Sequence, residues 1–212
     1  MKKTLFTLAC IVLTGCVVSA QNNILEIVET GNAKWQTLSG AFQKTEYLMI
    51  ANKTVSSNGE LLFQNDDKMA MHYMQPSNNK LIINGDNFYI VNGHKKNCFD
   101  TKKNIPMCRL RNTLIMCLKG RIKQLSKEQN TDVAVEETAK YYVVTLTAKK
   151  KSTRGYSKIV LNYSKKDKSL AMMRMEEFNG NYTIYEMSNV QFNAHLDIAK
   201  FKIPTKDAQS RR

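Results

Sequence analysis

The chain has 212 residues, of which 42% are hydrophobic and 24% charged. That is enough for one medium-sized core and too apolar for a disordered polypeptide, and the apolar residues form no series of long runs, which excludes a polytopic membrane protein. The formal charge is +14, with 32 Lys and Arg against 18 Asp and Glu. A field of that sign favours anionic surfaces: lipid head groups, nucleic acid or acidic partners.

The N-terminus reads as an export signal. Lys2 and Lys3 form a positive n-region, and Leu5 to Leu13 is an apolar h-region too short for a transmembrane helix. Two processing sites compete. Val18-Ser19-Ala20 before Gln21 has the small-residue pattern of ordinary signal peptidase, which makes residues 1–20 a signal peptide and residues 21–212 a single mature domain. Leu13-Thr14-Gly15-Cys16 has the pattern of a bacterial lipobox, which would make Cys16 an acylated first residue. Losing Lys2 and Lys3 takes the charge from +14 to +12, still strongly basic. Export in a bacterium with two membranes places the protein in the periplasm, or on the outer membrane if Cys16 carries lipid. Nucleic acid is then the least fitting anionic partner, and an anionic membrane surface remains open.

Asn22 to Trp35 is predicted to be a helix, with Ile24, Ile27 and Val28 at helical spacing and Glu26 and Glu29 in its early turns. From Leu38 the period changes to two. Leu48 and Ile50 share a face, as do Leu61 and Phe63, and Met69, Met71 and Tyr73. Further strands run over Leu81 to Asn84 and Phe88 to Val91. Asn58-Gly59, Asn65-Asp66-Asp67, the stretch from Gln75 to Asn79, and Asn84-Gly85-Asp86-Asn87 read as the intervening turns. The whole is a run of antiparallel hairpins.

Ile105 to Gln129 carries Met107, Leu110, Leu114, Ile115, Leu118, Ile122 and Leu125 at three- and four-residue steps. That is an amphipathic helix, entered near Pro106 and interrupted near Gly120. Strand patterns resume over Lys140–Ala148, Lys158–Tyr163, Leu170–Phe178 and Asn181–Phe192, with Asn179-Gly180 as a hairpin turn between the last two. The order of elements gives an α+β fold in which the Ile105–Gln129 helix covers one face of a curled antiparallel sheet.

Signals of catalysis are thin. His72, His94 and His195 have no ligand-like spacing to one another or to cysteine, and His72 reads as an exposed strand residue opposite Met71. Glu136-Glu137 and Glu176-Glu177 are strand neighbours, which point to opposite faces and make no acid–base dyad. No nucleophile elbow or phosphate loop occurs, so the chain reads as a non-enzyme with no metal and no cofactor. With Cys10 removed, Cys98, Cys108 and Cys117 remain. One bridge, Cys98–Cys108, is the pair to test in an oxidising compartment, against the plainer reading of Cys108 and Cys117 as small apolar helix residues.

Methionine stands out. Eleven occur, clustered at Met69-Met71-Met74, at Met107 and Met116, and at Met172-Met173-Met175 with Met187. Gap-filling in an ordinary core is one reading. A flexible, polarisable lining for ligands of variable shape is the other, and the placement of these residues on the inner strands and the covering helix favours it. Lysines occur in clumps at 95–96, 102–103, 149–151 and 165–168, between the apolar runs. A solvated loop rim accounts for them as well as a partner surface does.

Taken in order, several segments resemble the outer-membrane lipoprotein carrier family (LolA-like, with the related lipoprotein-receptor fold of LolB). They are Leu38-Ser39-Gly40-Ala41-Phe42-Gln43, Asn58-Gly59-Glu60-Leu61-Leu62-Phe63, the run Lys68 to Pro76, Leu81 to Tyr89, Phe178 to Thr183, and Ala199 to Pro204. Each is a loose pattern; their order carries the resemblance, which spans nearly the whole mature chain. It departs in using methionine over Met69–Tyr73, where aromatic or basic residues are common, and in its strong basicity. The resemblance implies an unclosed antiparallel β half-barrel with a helical lid, acting as a monomeric periplasmic carrier. Such a carrier takes acyl chains of lipoproteins or other lipids from an inner-membrane donor and hands them to an outer-membrane acceptor. The cavity residues expected are Leu48, Ile50, Leu61, Phe63, Met69, Met71, Tyr73, Phe88 and Ile90 from the sheet and Met107, Leu110, Leu114 and Leu118 from the lid. A lipid-anchored receptor held by Cys16, or a carrier of another lipid class, is the alternative.

Overall fold

The computed structural model describes residues 21–204 except 66, 153 and 154. The candidate signal peptide, Cys16 and the last eight residues lie outside the described residues. A first helix, α1 (residues 21–33), leads into β1 (Thr37–Leu48), and five more strands follow: β2 (Lys53–Gln64), β3 (Lys68–Gln75), β4 (Lys80–Asn84), β5 (Asn87–Asn92) and β6 (Lys95–Asp100). Two helices, α2 (Ile105–Lys119) and α3 (Ile122–Gln129), lead to a second meander. Its strands are β7 (Thr131–Glu137), β8 (Tyr141–Ala148), β9 (Tyr156–Ser164), β10 (Leu170–Glu177) and β11 (Tyr182–Phe192). A short 3-10 turn at Ile198–Phe201 follows.

The strands form one 11-stranded antiparallel sheet in the order β6-β5-β4-β3-β2-β1-β11-β10-β9-β8-β7, so it has two open edges and is not a closed barrel. The helices cover its inner face. The expected architecture is therefore the one observed. Gly120 separates α2 from α3, with φ +67. Its missing Cβ admits Val28 of α1, which is fully buried there. Asn104 caps α2, its side chain accepting from the Met107 N–H at 3.1 Å, with Pro106 in the first turn.

Alternation sets the inner face. Leu38 and Phe42 of β1, Leu61 and Phe63 of β2, Met69 and Met71 of β3 and Phe88 of β5 all enter one core with Leu114 and Leu118 of α2. Both wings contribute, since Leu161 of β9, Met173 and Met175 of β10 and Tyr185 of β11 belong to the same core. A second, smaller core lies on the outer face. There Leu62, Ala70, Ile82, Tyr89 and Val91 pack under Leu196 and Phe201 of the C-terminal segment. His72 faces this side, and its Nε2 lies 3.0 Å from the Lys200 carbonyl oxygen. It is half-buried beneath the segment rather than exposed.

Three further readings of the sequence are corrected. Asn58-Gly59 is not a turn but lies inside β2, opposite a bulge at Gln75 and Tyr73. The glycine serves close approach, because a Cβ there would overlap the His72 carbonyl oxygen. The true turn is Met49–Asn52, closed by the Asn52 N–H to the Met49 carbonyl at 3.1 Å with Asn52 at φ 44. That turn removes Ile50 from the strand and leaves it 97% exposed. Finally, Cys98 packs on the outer core beside Tyr89, whereas Cys108 lies on α2 over the inner face. The sheet separates them, and both are free thiols.

Gly59→Ala is expected to lower the unfolding free energy by about 1–3 kcal/mol through overpacking against β3. Urea denaturation would read this as a lower midpoint at constant slope. An unchanged midpoint would mean that β3 can step aside.

Candidate functional site

The site is the seam between the sheet and α2. Phe42, Leu61, Met69, Met71, Met173, Tyr185 and Met187 line it from the strands, and Leu114 and Leu118 line it from the helix. Its free space is a cavity of about 10 Å³, room for about one water molecule. Seven of the residues expected from the sequence (Leu61, Phe63, Met69, Met71, Phe88, Leu114 and Leu118) are buried in this inner core, and four (Tyr73, Ile90, Met107 and Leu110) are half-buried against it. Leu48 and Ile50 are not brought to it. Leu48 ends β1 half-buried and Ile50 lies on the turn, exposed, and neither belongs to the inner core.

Met173, Tyr185 and Met187 were missing from the expected set, although β10 and β11 were both predicted. The same alternation that marks Met69 and Met71 marks Met173 and Met175. What the sequence does not show is that β11 pairs with β1, through Phe42 opposite Met187 and Lys44 opposite Tyr185, which brings the second wing to the first.

Below the methionines the lining turns polar. The Tyr73 ring packs edge-on against Phe42 at 5.0 Å, and the Tyr73 hydroxyl shares a hydrogen bond with that of Tyr185. Lys44 and Glu46, one strand away, form a 2.8 Å ion pair. Burial pushes the phenols of Tyr73 and Tyr185 above the usual range, reinforced by their negative neighbours, and pushes Tyr156 beside them up to about 12. These hydroxyls stay protonated and can donate hydrogen bonds within an apolar surround.

The two halves of α2 differ. From Thr113 to Lys119 every residue is buried. The Tyr163 hydroxyl donates to the Cys117 carbonyl at 2.6 Å, and Lys119 Nζ donates to Asn65 Oδ1 while lying 5.4 Å from the Trp35 ring. Burial also raises the Cys117 thiol, so no thiolate is on offer there. At the other end Met107 and Leu110 are half-buried and Ile105 is 68% exposed. Within α2, Arg111 donates to the Gly85 carbonyl at 2.9 Å and pairs with Asp67 at 3.1 Å, tying the helix to the β2–β3 and β4–β5 turns. Among the described residues no cluster of His, Cys, Asp and Glu could hold a metal ion. Glu176 is paired with Arg174 and Glu137 with Lys165, so neither carboxylate doublet forms a dyad. No helix among the described residues is long and apolar enough to cross a membrane.

The class defined by the fold is an unclosed antiparallel sheet with helices over its inner face, meeting at an apolar seam. Residues 33–204 match the family model described as outer membrane lipoprotein carrier protein LolA, and the chain belongs to that family. No curated protein matches the sequence. Among solved structures, it is similar to an uncharacterized conserved protein from Thermus thermophilus, at TM-score 0.54 and 12% identity over 90% of this chain and 96% of that one. It is also similar to the MucA/MucB complex of Pseudomonas aeruginosa, at TM-score 0.50 and 7% identity over 87% of this chain and 61% of that one. A putative outer membrane lipoprotein-sorting protein domain from Vibrio parahaemolyticus aligns at TM-score 0.45 and 12% identity, over 88% of this chain and 98% of that one. At these identities the likeness is one of fold.

The tyrosine cluster has a measurable consequence. The folded phenols hold their protons above pH 10.0, where an unfolded chain releases them. Their contribution to stability is therefore complete below pH 10.0 and falls as pH rises, that of Tyr156 being lost through about 12. Unfolding free energy measured in urea should fall above pH 10.0, and less steeply in Tyr156→Phe. Equal slopes in the two proteins would remove Tyr156 from the account.

Proposed function

We propose that the chain is an exported carrier that holds acyl chains between the sheet and α2 and neither makes nor breaks a covalent bond. The observation that carries this reading is the methionine-rich seam, with Met69, Met71, Met173 and Met187 facing Leu114 and Leu118. Burying each methylene of a cargo stabilises the complex by roughly 0.8 kcal/mol, and methionines repack around chains of different shape. With about 10 Å³ free, the seam is closed, so cargo entry requires α2 to move. Its half-buried N-terminal half, from Ile105 to Leu110, gives way at lower cost than the buried and anchored C-terminal half. Binding then rests on an open–closed equilibrium that a donor or an acceptor biases through its own contacts. The Tyr73 and Tyr185 hydroxyls, at the polar end of the lining, suit an ester or amide oxygen at the head of an acyl chain.

This reading places the protein in the periplasm, with lipoprotein acyl chains as cargo, an inner-membrane donor and an outer-membrane acceptor. A lipid-anchored receptor differs in one observable, the mature N-terminus. A start at Gln21 removes the receptor, and an acylated Cys16 establishes it.

Organic extraction of the protein purified from its native envelope should release an acyl lipid in near-stoichiometric amount. A fluorescent fatty-acyl probe should bind the emptied protein. Met173→Phe combined with Met187→Phe should reduce uptake of that probe several-fold and cost about 1–3 kcal/mol of stability, since the larger rings overpack a seam with about 10 Å³ free. No extractable lipid together with no probe uptake would end the carrier reading.

A further inference from the structure

In an antiparallel meander, alternate connections fall on the same rim of the sheet. The observed pairings put the β2–β3, β4–β5, β7–β8 and β9–β10 connections on one rim, where α2 contacts the turns at Asn65, Asp67 and Gly85. The β1–β2, β3–β4, β5–β6, β8–β9 and β10–β11 connections form the opposite rim. Two properties are concentrated on that second rim. The first is exposed apolar surface: Ile50 is 97% exposed, Met74 62%, Met49 54% and Val55 38%, and all four lie at this end of their strands. The second is positive charge with no acid in the described residues of the connections themselves, from Lys53, from Lys95 and Lys96, and from Lys149 to Lys151. Of the acids nearby, Glu46 is paired with Lys44, Asp132 faces Lys149 at 3.5 Å and Glu177 accepts from Asn179 at 3.0 Å. The α2 rim mixes the two signs: Asp67, Asp86 and Asp167 stand among Lys68, Lys102, Lys140, Lys165, Lys166 and Lys168, with Lys102 paired to Asp86 and Lys165 to Glu137.

We propose that the basic rim docks on an anionic lipid bilayer, with the Met49–Ile50 turn entering between the head groups. The turn is built to present its apex. The Met49 N–H donates to Asn181 Oδ1 at 2.9 Å, which ties it to the neighbouring β10–β11 turn. The Met49 thioether occupies the place that a Cβ on Gly180 would take. Ile50 is thereby held outward on a hydrogen-bonded turn, and it can leave water only by meeting an apolar phase outside the molecule. Behind the apex, Tyr47 stacks on Tyr182 at 5.1 Å and Arg174 lies 4.0 Å from the Tyr182 ring. Aromatic rings and a guanidinium at that depth match the head-group layer. The lysines are spread along the rim from the β5–β6 connection to the β8–β9 connection. A planar anionic surface reaches all of them together, while the single apolar apex needs only shallow entry. This docking does not depend on what the seam carries.

The test uses the full chain expressed with Cys16→Ser, which removes any acyl anchor, and co-sedimentation with vesicles. Vesicles containing phosphatidylglycerol should bind the protein, and binding should weaken steeply with salt. Vesicles of phosphatidylcholine alone should bind it at least about tenfold more weakly. Ile50→Asp, at a fully exposed position, should keep the fold and lower binding by about tenfold or more. Replacing Lys149, Lys150 and Lys151 by Ser should lower it on the order of a hundredfold at low salt, at about fivefold per charge. Lys140→Ser with Lys166→Ser, on the other rim, should change it less than about twofold. The single native tryptophan, Trp35, is buried, so in Ile50→Trp a blue shift on adding anionic vesicles reports on the apex alone. Equal binding to neutral and anionic vesicles, or full binding by Ile50→Asp, overturns the proposal. So does an absence of binding to any vesicle, which would assign the basic rim to an acidic protein face instead.

Discussion

All strand pairings but one join neighbours in the sequence, and such hairpins form from local signals. The exception is β1 with β11, which aligns Leu38 with Phe192 and Tyr47 with Tyr182 across nearly the whole chain. Without that ladder the protein would be two separate meanders, each with an apolar face and nothing large enough to cover it. With it, the two faces become one concave wall, Phe42 meets Tyr185, and α1, α2 and α3 have a single surface to lie against. The same pairing defines the two rims, because it sets which connections of the second wing fall beside those of the first.

The outer face is held differently from the inner one. The C-terminal segment lies over Leu62, Ile82 and Tyr89, and it is pinned by contacts from Asn84 and His72 to backbone carbonyls and by the Lys200–Glu60 ion pair at 2.6 Å. That backing stiffens the first wing, so the sheet–helix seam is the more yielding boundary. The methionines there matter for the same reason. They fill the closed seam well enough to stabilise it, yet lose little when they rearrange, so the burial that holds the fold closed is of the kind that an apolar guest could replace.

Much of this was legible because a strand's side-chain period is strict. Met69, Met71 and Tyr73 alternate with Ala70 and His72, and the helix-facing set follows directly. Other features were not legible for identifiable reasons. The edge strands β6 and β7 went unpredicted because Lys95-Lys96-Asn97 and Thr131-Asp132 are polar, as suits strands half open to water. Asn58-Gly59 looks like a turn by composition, but a glycine demanded by the close approach of another strand has the same composition. The outer core did leave a signal in the unbroken runs Leu61-Leu62-Phe63, Leu81-Ile82-Ile83 and Phe88-Tyr89-Ile90-Val91. Runs without alternation mark strands buried on both faces.

By itself the sequence determined the local elements and the side each residue takes within them, since periodicity, caps and turn residues act over a few positions. It thereby determined an antiparallel sheet with an apolar inner face and a two-part covering helix. Which remote residues share a site was decided by tertiary structure alone. Met173, Tyr185 and Met187 reach Phe42 and Met71 only through the β1–β11 ladder, and Ile50 stands beside distant lysines only because of the rim that ladder completes. Hydrogen-bonded pairing between strands so far apart leaves no periodic trace in either one, so the register between the wings has to be seen in three dimensions.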